Sequence, residues 1–258
     1  MAPLLDEKGI LITGAASGIG RAAALEAHAE GARLVLADLN DEAGEAVAEE
    51  IRADGGQANF LRCDVTDESS VEAAVGGAVE KLGGLDGAFN CAGVLAALGN
   101  TAEVELSEWR KVLEVDLVGV FLCTKHELRP MAEQGSGSIL NMASAAGLIG
   151  WPGASGYVAA KHGVVGLSKA AALEYAESGV RVNSICPSYV ITPMVEKDLF
   201  EDALGGDEEL IAAARANHPI GRFAQPEEIA AACAWLLSDK ASFVTGSAMS
   251  VDGGYTTP

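Results

Sequence analysis

The chain has 258 residues, 49% of them hydrophobic, and a formal net charge of −20. This composition supplies enough apolar surface for a large buried core and excludes a disordered chain, and no apolar run reaches the length of a bilayer span. The negative charge excludes nucleic acids and anionic membranes as partners, because both bind basic surfaces.

Apolar segments of strand character alternate with helical segments along the whole chain. The predicted strands are 9–13, 32–38, 58–64, 85–90, 137–144, 180–187 and 247–252. The predicted helices lie at about 18–30, 41–54, 67–82, 107–133, 155–178 and 226–238. Near-continuous apolar strands separated by helices are typical of a parallel sheet with helices on both faces, wound by right-handed crossovers. Since no linker or repeat interrupts this pattern, we predict a single domain, 1–258, with a doubly wound seven-stranded α/β sheet.

A glycine-rich turn, "TGAASGIG" at 13–20, follows the first predicted strand and opens the first helix. Its glycines permit a tight turn and a close backbone approach, and the helix N-terminus presents free N–H groups to a pyrophosphate. A glycine-rich turn alone is often only a turn, but the strand–turn–helix context predicts a dinucleotide site in a Rossmann-type fold. The expected cofactor contacts are Gly14, Ser17, Gly18, Ile19 and Gly20.

Asp38 ends the second predicted strand, eighteen residues after Gly20. A carboxylate at this position accepts hydrogen bonds from both ribose hydroxyls of an adenosine and repels a 2′-phosphate. As an alternative, this acid caps the helix that begins near Asp41. Because no lysine or arginine follows directly in "DLND", we predict NAD rather than NADP, with Leu39 beside the ribose.

The third and fourth strands end in "CDVTD" (63–67) and "NCAG" (90–93), at the same sheet edge as the glycine turn. The first segment is a candidate to flank the adenine, and the second to bring the backbone close to the cofactor. Either segment is equally compatible with a plain strand-end turn. The candidate residues are Asp64, Val65, Asn90, Ala92 and Gly93.

Ser144 ends the fifth predicted strand, Tyr157 follows thirteen residues later, and Lys161 lies four residues beyond that. A tyrosine and a lysine at this spacing share one face of any helix, so the pair alone does not indicate a catalytic role. Together with TGxxxGxG and N-x-A-G, however, the set Ser–x12–Tyr–x3–Lys resembles the short-chain dehydrogenase/reductase family. The resemblance runs from about Gly9 to "SVDGG" at 250–254 and is closest to bacterial cyclic-alcohol, cyclohexadienediol and hydroxysteroid dehydrogenases.

The resemblance implies a role for each residue of this set. Tyr157 would be the general acid and base, Lys161 would lower its pKa and bind the nicotinamide ribose, and Ser144 would orient the substrate oxygen. Hydride would pass between the substrate carbon and nicotinamide C4. Further cofactor contacts are implied at Pro187, Val190 and Thr192.

Two positions depart from the family pattern. Asp116 in "VDLVGVF" stands where the family usually has asparagine, which helps to hold a water between the lysine and solvent. An ionised acid accepts hydrogen bonds but cannot donate, so we expect Asp116→Asn to leave activity intact or to raise it. Ser188 in "CPSYV" stands where many relatives have glycine, and it adds bulk beside the nicotinamide.

The residues expected on the substrate side are mostly apolar, which suits an uncharged secondary alcohol or ketone, including a cyclic one. The segment 190–218 follows the sixth strand, where open α/β sheets bind ligands, and we predict that it is a substrate lid. A solvent-facing helical excursion is the alternative. The substrate candidates are Leu95, Ala145, Ala146, Leu148, Trp151, Ser188, Tyr189, Val190 and Met194.

Five scattered cysteines without a C-x-x-C pair, and four histidines that do not cluster, predict neither disulfides nor a metal site. We expect the histidines at the surface or behind the site rather than in catalysis. The N-terminus lacks a basic segment followed by an apolar stretch, which favours a cytoplasmic protein. The resemblance implies a homotetramer joined through the helices at 107–133 and 155–178.

Two other functions compete with an alcohol dehydrogenase. A 3-oxoacyl-thioester reductase that serves an acidic carrier protein needs basic docking residues; Arg129 is a candidate, but the net charge and Asp38 count against it. A cofactor-binding sensor typically loses part of the Ser/Tyr/Lys set, and this chain retains all three residues.

Overall fold

The computed structural model describes residues 2–96 and 98–257. In these residues seven parallel strands form one sheet, in the order β3-β2-β1-β4-β5-β6-β7. The strand order reverses between β1 and β4, and the crevice at such a switch point is where doubly wound folds bind ligands. The predicted fold is confirmed. The strands are β1 (Gly9–Thr13), β2 (Arg33–Asp38), β3 (Gln57–Arg62), β4 (Gly87–Asn90), β5 (Gly137–Met142), β6 (Val180–Pro187) and β7 (Ala248–Val251).

Helices connect the strands and cover both faces of the sheet. They are α1 (Gly18–Ala29), α2 (Asp41–Ala53), α3 (Glu68–Leu82), α4 (Leu106–Leu113), α5 (Val120–Gln134), α6 (Ser155–Tyr175), α7 (Glu208–Ala216) and α8 (Pro226–Leu237). Across the described ranges, none of them is both long enough and apolar enough to cross a membrane.

Two segments differ from regular helix. The helix predicted over 107–133 is interrupted by the π-helical turn Glu114–Gly119, which separates α4 from α5. A second π-helical stretch, Val195–Ala203, lies with α7 in the segment 190–218. The wider π turn inserts an extra residue and re-aims side chains, and such turns are frequent at functional sites.

Alternate residues of the strands feed two hydrophobic cores. Ile10 and Ile12 of β1 point to the core shared with α1 and α8, whereas Leu11 points to the core shared with α3 and α5. All three are buried, and each such side chain contributes about 1.5–3 kcal/mol relative to exposure. The near-continuous apolar character of β1 therefore has its cause in burial on both faces.

Candidate active site

A groove of about 350 Å³ crosses the carboxyl ends of the central strands. It joins the glycine turn, the ends of β2 and β3, the loop after β4 and the first turns of α6. Most of the residues predicted to contact the cofactor line it. They are Gly14, Ser17, Gly18, Ile19, Gly20, Asp38, Leu39, Asp64, Val65, Ala92, Gly93, Tyr157, Lys161, Pro187, Val190 and Thr192.

Asn90 was expected to contact the cofactor, but the structure buries it beneath the groove. Its Nδ2 donates to Glu127 Oε2 and to Asn141 Oδ1, both at 2.9 Å, which ties β4 to α5 and β5. The sequence indicated where β4 ends but not the direction of its last side chain. The following residues, Cys91 to Gly93, line the groove instead.

The glycine turn fits a dinucleotide pyrophosphate. A Cβ at Gly20 would lie 2.0 Å from the Gly14 carbonyl oxygen, so only glycine allows α1 to approach the turn. Asn40 and Asp207 cap α2 and α7 with their side chains, but within the described residues no side chain caps α1 at Ser17. The free N–H groups and the positive end of the α1 dipole thus face the groove, as an anion requires.

Asp38 is held rigidly at the adenosine end of this groove. Its Oδ2 accepts from the Ala16 N–H and its Oδ1 from the Asn40 N–H, both at 3.0 Å. Asn40, not Asp38, caps α2, which removes the alternative reading of this acid. The fixed carboxylate is placed to accept hydrogen bonds from ribose hydroxyls.

A positively charged side chain, Arg62, lies near the adenosine end of the groove and was not predicted from the sequence. The strand register pairs Arg62 with Asp38, although the two are distant in sequence. The Arg62 guanidinium donates to the Leu39 carbonyl (2.7 Å) and to Asp41 Oδ2 (3.1 Å). It is therefore engaged by Leu39 and Asp41 and is not among the residues that line the groove.

Ser144, Tyr157 and Lys161 meet on the wall of the groove. Lys161 is buried, donates from Nζ to the Met142 carbonyl at 3.1 Å, and places Nζ 5.3 Å from the centre of the Tyr157 ring. The Ser144 Oγ accepts from the Ala146 N–H at 3.1 Å and donates to the Pro187 carbonyl across a long 3.5 Å contact, which a ligand oxygen can replace. A hydroxyl, a phenol and an ammonium group thus converge on one point.

Burial raises the pKa of Tyr157 above its ordinary value. The positive charge of Lys161 lowers this pKa, as expected from the sequence, but it does not outweigh burial, and the negative charge of Asp116 adds to the rise. The net direction differs from the prediction because the phenol loses its hydration in a buried site.

Asp116 lies in the π-helical turn and is fully buried. Its Oδ1 accepts from the Val94 N–H at 2.8 Å, and its Oδ2 lies 3.8 Å from Lys161 Nζ with no hydrogen-bond partner among the described residues. Burial raises the pKa of this carboxyl against the opposing charge of Lys161. Burial alone would lower the pKa of Lys161, but the Asp116 charge raises it above its usual value.

A second cavity, of about 70 Å³, opens beside Ser144 and Tyr157. Of the expected substrate residues, Leu148 packs instead against the core beneath α6, because the 3₁₀ turn Ala145–Gly147 directs it inward, and Val190 lines the groove. Sequence reasoning missed Ile149, Val195, Leu199 and Tyr255. The cavity is lined by Leu95, Ser144, Ala145, Ala146, Ile149, Trp151, Tyr157, Ser188, Tyr189, Met194, Val195, Leu199 and Tyr255.

The histidines and cysteines outside the Ser/Tyr/Lys set form no metal site in the described residues, and two of the histidines differ in burial. In the part of the chain that the structure describes, no three His, Cys, Asp or Glu side chains are grouped as metal ligands, and the cysteines are free thiols. His162 bonds the Val158 carbonyl on the outer face of α6, away from Lys161. His218, in contrast, is buried directly behind the second cavity.

Comparison with known proteins gives matches over nearly the whole chain. A family model described as "Enoyl-(Acyl carrier protein) reductase" matches residues 14–256. The 2,5-dichloro-2,5-cyclohexadiene-1,4-diol dehydrogenase of Sphingobium indicum is 47% identical over 98% of each chain. The cyclohexanol dehydrogenase of an Acinetobacter species is 46% identical over 100% of this chain and 98% of that protein. The crystal structure of levodione reductase superposes with a TM-score of 0.93 at 40% identity, over 97% of this chain and 98% of that one.

Proposed function

Because the chain belongs to the short-chain dehydrogenase/reductase family, whose members most similar to it interconvert secondary alcohols and ketones, we propose that it does so with NAD(H) on a compact apolar ring. The observation that carries this proposal is the second cavity. It is small, walled by aromatic and aliphatic side chains, and opens onto the hydroxyl groups of Ser144 and Tyr157. A site of this kind suits an uncharged ring that bears one oxygen.

The chemistry follows from the positions of three side chains. In oxidation the Tyr157 phenolate accepts the proton of the substrate hydroxyl, and in reduction the phenol returns it. The Ser144 hydroxyl, held in place by the Ala146 N–H, exchanges its long contact with the Pro187 carbonyl for a hydrogen bond to the substrate oxygen. The Lys161 ammonium stabilises the phenolate. NAD, when bound, accepts the hydride from the carbinol carbon.

The test of this function is a comparison of two rings of equal size. Cyclohexanol and cis-4-hydroxycyclohexanecarboxylate are each mixed with NAD, and absorbance at 340 nm is followed. Among the described residues no lysine or arginine lines the second cavity, so a carboxylate buried there would have no positive partner. We therefore expect kcat/KM for cis-4-hydroxycyclohexanecarboxylate to be about a hundredfold or more below that for cyclohexanol. Activity on acetoacetyl-CoA alone would favour the thioester reductase, and NAD binding without any turnover would favour the sensor.

NAD is proposed over NADP because the Asp38 carboxylate is fixed by two backbone N–H groups where a 2′-phosphate would lie. We expect Asp38→Ser to lower the ratio of kcat/KM for NAD to kcat/KM for NADP by about 10–100-fold. The variant loses a charge-assisted hydrogen bond to the ribose of NAD and no longer repels the 2′-phosphate of NADP. Glu42→Ser is the matched control, since it removes an exposed acid from the first turn of α2. A wild-type enzyme that prefers NADPH would contradict the assignment.

Asp116→Asn should retain the acceptor for Val94 and remove the charge beside Lys161. With that charge gone the pKa of Tyr157 falls, and the phenolate forms at lower pH. We therefore expect the acid limb of the kcat/KM profile for alcohol oxidation to move to lower pH, with equal or higher activity at neutral pH. Asp116→Ala, which also removes the Val94 acceptor, should be impaired at every pH. A collapse of turnover in Asp116→Asn would show that the carboxylate itself is required.

We also propose that the segment 190–218 is a lid over the substrate. Met194, Val195 and Leu199 of this segment contribute one wall of the second cavity, which supports this role.

We further propose that the protein is a cytoplasmic homotetramer. The exposed Leu106 and Phe121, in α4 and α5, support an interface between subunits on these helices. Light scattering of the purified protein gives the assembly directly, and a monomer would contradict it.

A further inference from the structure

His218 is a buried histidine that the reaction does not use. It follows α7, is 2% exposed, and packs against the back of the second cavity. Its ring stacks on Tyr255 with centres 4.9 Å apart and meets the edge of Tyr189 at 5.4 Å. Its Nε2 lies 3.0 Å from Ser188 Oγ. Three of its neighbours, Ser188, Tyr189 and Tyr255, line the cavity.

Hydrogen bonds tie His218 to its neighbours on both sides of the ring. Nδ1 lies 3.0 Å from the Ala214 carbonyl oxygen, and Nε2 lies 3.0 Å from Ser188 Oγ. The Ser188 hydroxyl in turn lies 3.2 Å from the Asp252 carbonyl oxygen. His218, Ser188 and Asp252 therefore form one chain of polar contacts behind the cavity.

These contacts join three separate parts of the chain. His218 ends the segment 190–218, Ser188 belongs to the loop after β6, and Asp252 begins the C-terminal turn after β7. The Ile220 N–H also donates to the Gly253 carbonyl at 3.2 Å, which reinforces the junction. All three parts contribute walls to the cavity.

The charged groups around His218 are already engaged. The Asp252 carboxylate accepts from the N–H groups of Gly254 and Thr256 and from the Thr256 hydroxyl. The Arg215 guanidinium lies over Phe223, 5.5 Å from the ring centre. The remaining faces of the imidazole are covered by the aromatic rings of Tyr189, Phe223 and Tyr255.

We propose that His218 is a positioning residue that holds Ser188, Tyr189 and Tyr255 as the rear wall of the substrate cavity, and so restricts the substrate to a single ring. This role rests on the proposed function, in which a cyclic alcohol occupies that cavity. It predicts an effect on substrate affinity and ring size rather than on the chemical step.

The test uses His218→Gln and Ser188→Ala, measured with cyclohexanol and with a bicyclic decalol. We expect each variant to raise KM for cyclohexanol about tenfold, with kcat within about threefold, and to improve decalol relative to cyclohexanol; KM for NAD should be unchanged in His218→Gln, whose ring does not line the groove. The double variant should be no worse than either single one, because both remove the same contact. His28→Gln, whose ring pairs with Asp54 on the far side of the sheet, is the control and should behave as wild type.

The change in ring preference separates positioning from a merely structural role. A variant that is only destabilised should lose activity on cyclohexanol and decalol alike, whereas we expect the ratio of the two KM values to change with kcat retained. Additive effects, a fall in kcat at constant KM, or an unaltered Ser188→Ala would each overturn the role. If the wild type oxidises no alcohol, the proposed function fails; the positioning role is then decided by cyclohexanone binding, which is followed by protein fluorescence and is expected to weaken about tenfold in His218→Gln.

Discussion

Replacing Tyr157 with phenylalanine is expected to lower kcat for cyclohexanol oxidation by about 10²–10⁴-fold and to leave NAD binding within about twofold. The variant keeps the ring, and with it the edge contact to Trp151 and the position of Lys161 beside the ring. What it loses is the phenol oxygen, which belongs to the residue shared by groove and cavity and exchanges the proton with the substrate. The loss should therefore appear in the chemical step and not in affinity.

The matched control is Tyr175→Phe, which removes a hydroxyl from the other end of the same helix. It should retain wild-type kcat. Binding of NAD to each variant is measured by titration of protein fluorescence, so that loss of catalysis is separated from loss of the cofactor. Near-normal turnover in Tyr157→Phe would show that another group carries the proton.

The direction of the pKa shift at Tyr157 gives this residue a pH signature. Because burial raises the pKa and oxidation needs the phenolate, the rate of alcohol oxidation should increase with pH until the phenol has titrated. Reduction needs the phenol and should decrease over the same range. The charge of Lys161 is the larger of two effects that lower the pKa of Tyr157 against burial, and the hydrogen bond with Ser144 is the other.

Much of this architecture could be predicted from the sequence because it follows from local patterns. Buried parallel strands have runs of apolar residues, and the turn needs glycine at position 20, where α1 contacts the Gly14 carbonyl. Ser144 ends a strand, and Tyr157 and Lys161 share a helix face, so their spacing alone brings them to one edge of the sheet. The fold and the groove both follow from these features.

The parts that could not be predicted depend on contacts between distant segments. Tyr255 reaches the cavity because the C-terminal turn packs against the turn after α7, for which the sequence contains no local signal. Asn90 points beneath the groove because successive residues of a strand point to opposite faces of the sheet. Leu148 points into the core because the 3₁₀ turn before it sets the direction of its side chain. His218 had no sequence motif to mark it, yet three chain segments meet at its ring.

A second large effect is expected inside the fold, at Glu127 of α5. This side chain is fully buried, and burial raises the pKa of its carboxyl to about 7, against the hydrogen bond from Asn90. Glu127 Oε1 and Asn90 Oδ1 are both acceptors without a partner in the residues that the structure describes. A proton on the carboxyl converts one acceptor into a donor, so the folded protein favours the neutral acid.

Linkage gives the sign and size of the consequence. The folded protein holds this proton more tightly than the unfolded chain, so Glu127 causes the free energy of unfolding to fall as pH rises from about 4.5 to about 7. A shift of this size corresponds to about 3 kcal/mol. Glu127→Gln resembles the neutral acid, and above pH 7 it should be more stable than the wild type by up to about 2 kcal/mol, which is this difference less about 1 kcal/mol for its second amide hydrogen.

At pH 5 the advantage of Glu127→Gln should vanish, and the variant should be weaker by about 1 kcal/mol, because its second amide hydrogen finds no acceptor. Denaturant midpoints at pH 5 and pH 8 measure both values. Glu72→Gln, which removes the same charge from an exposed site on α3, controls for the net charge of −20 and should show no such difference between the two pH values. A Glu127→Gln protein that is equally destabilised at both pH values would mean that the folded state holds the carboxylate ionised, with water or a cation as its partner.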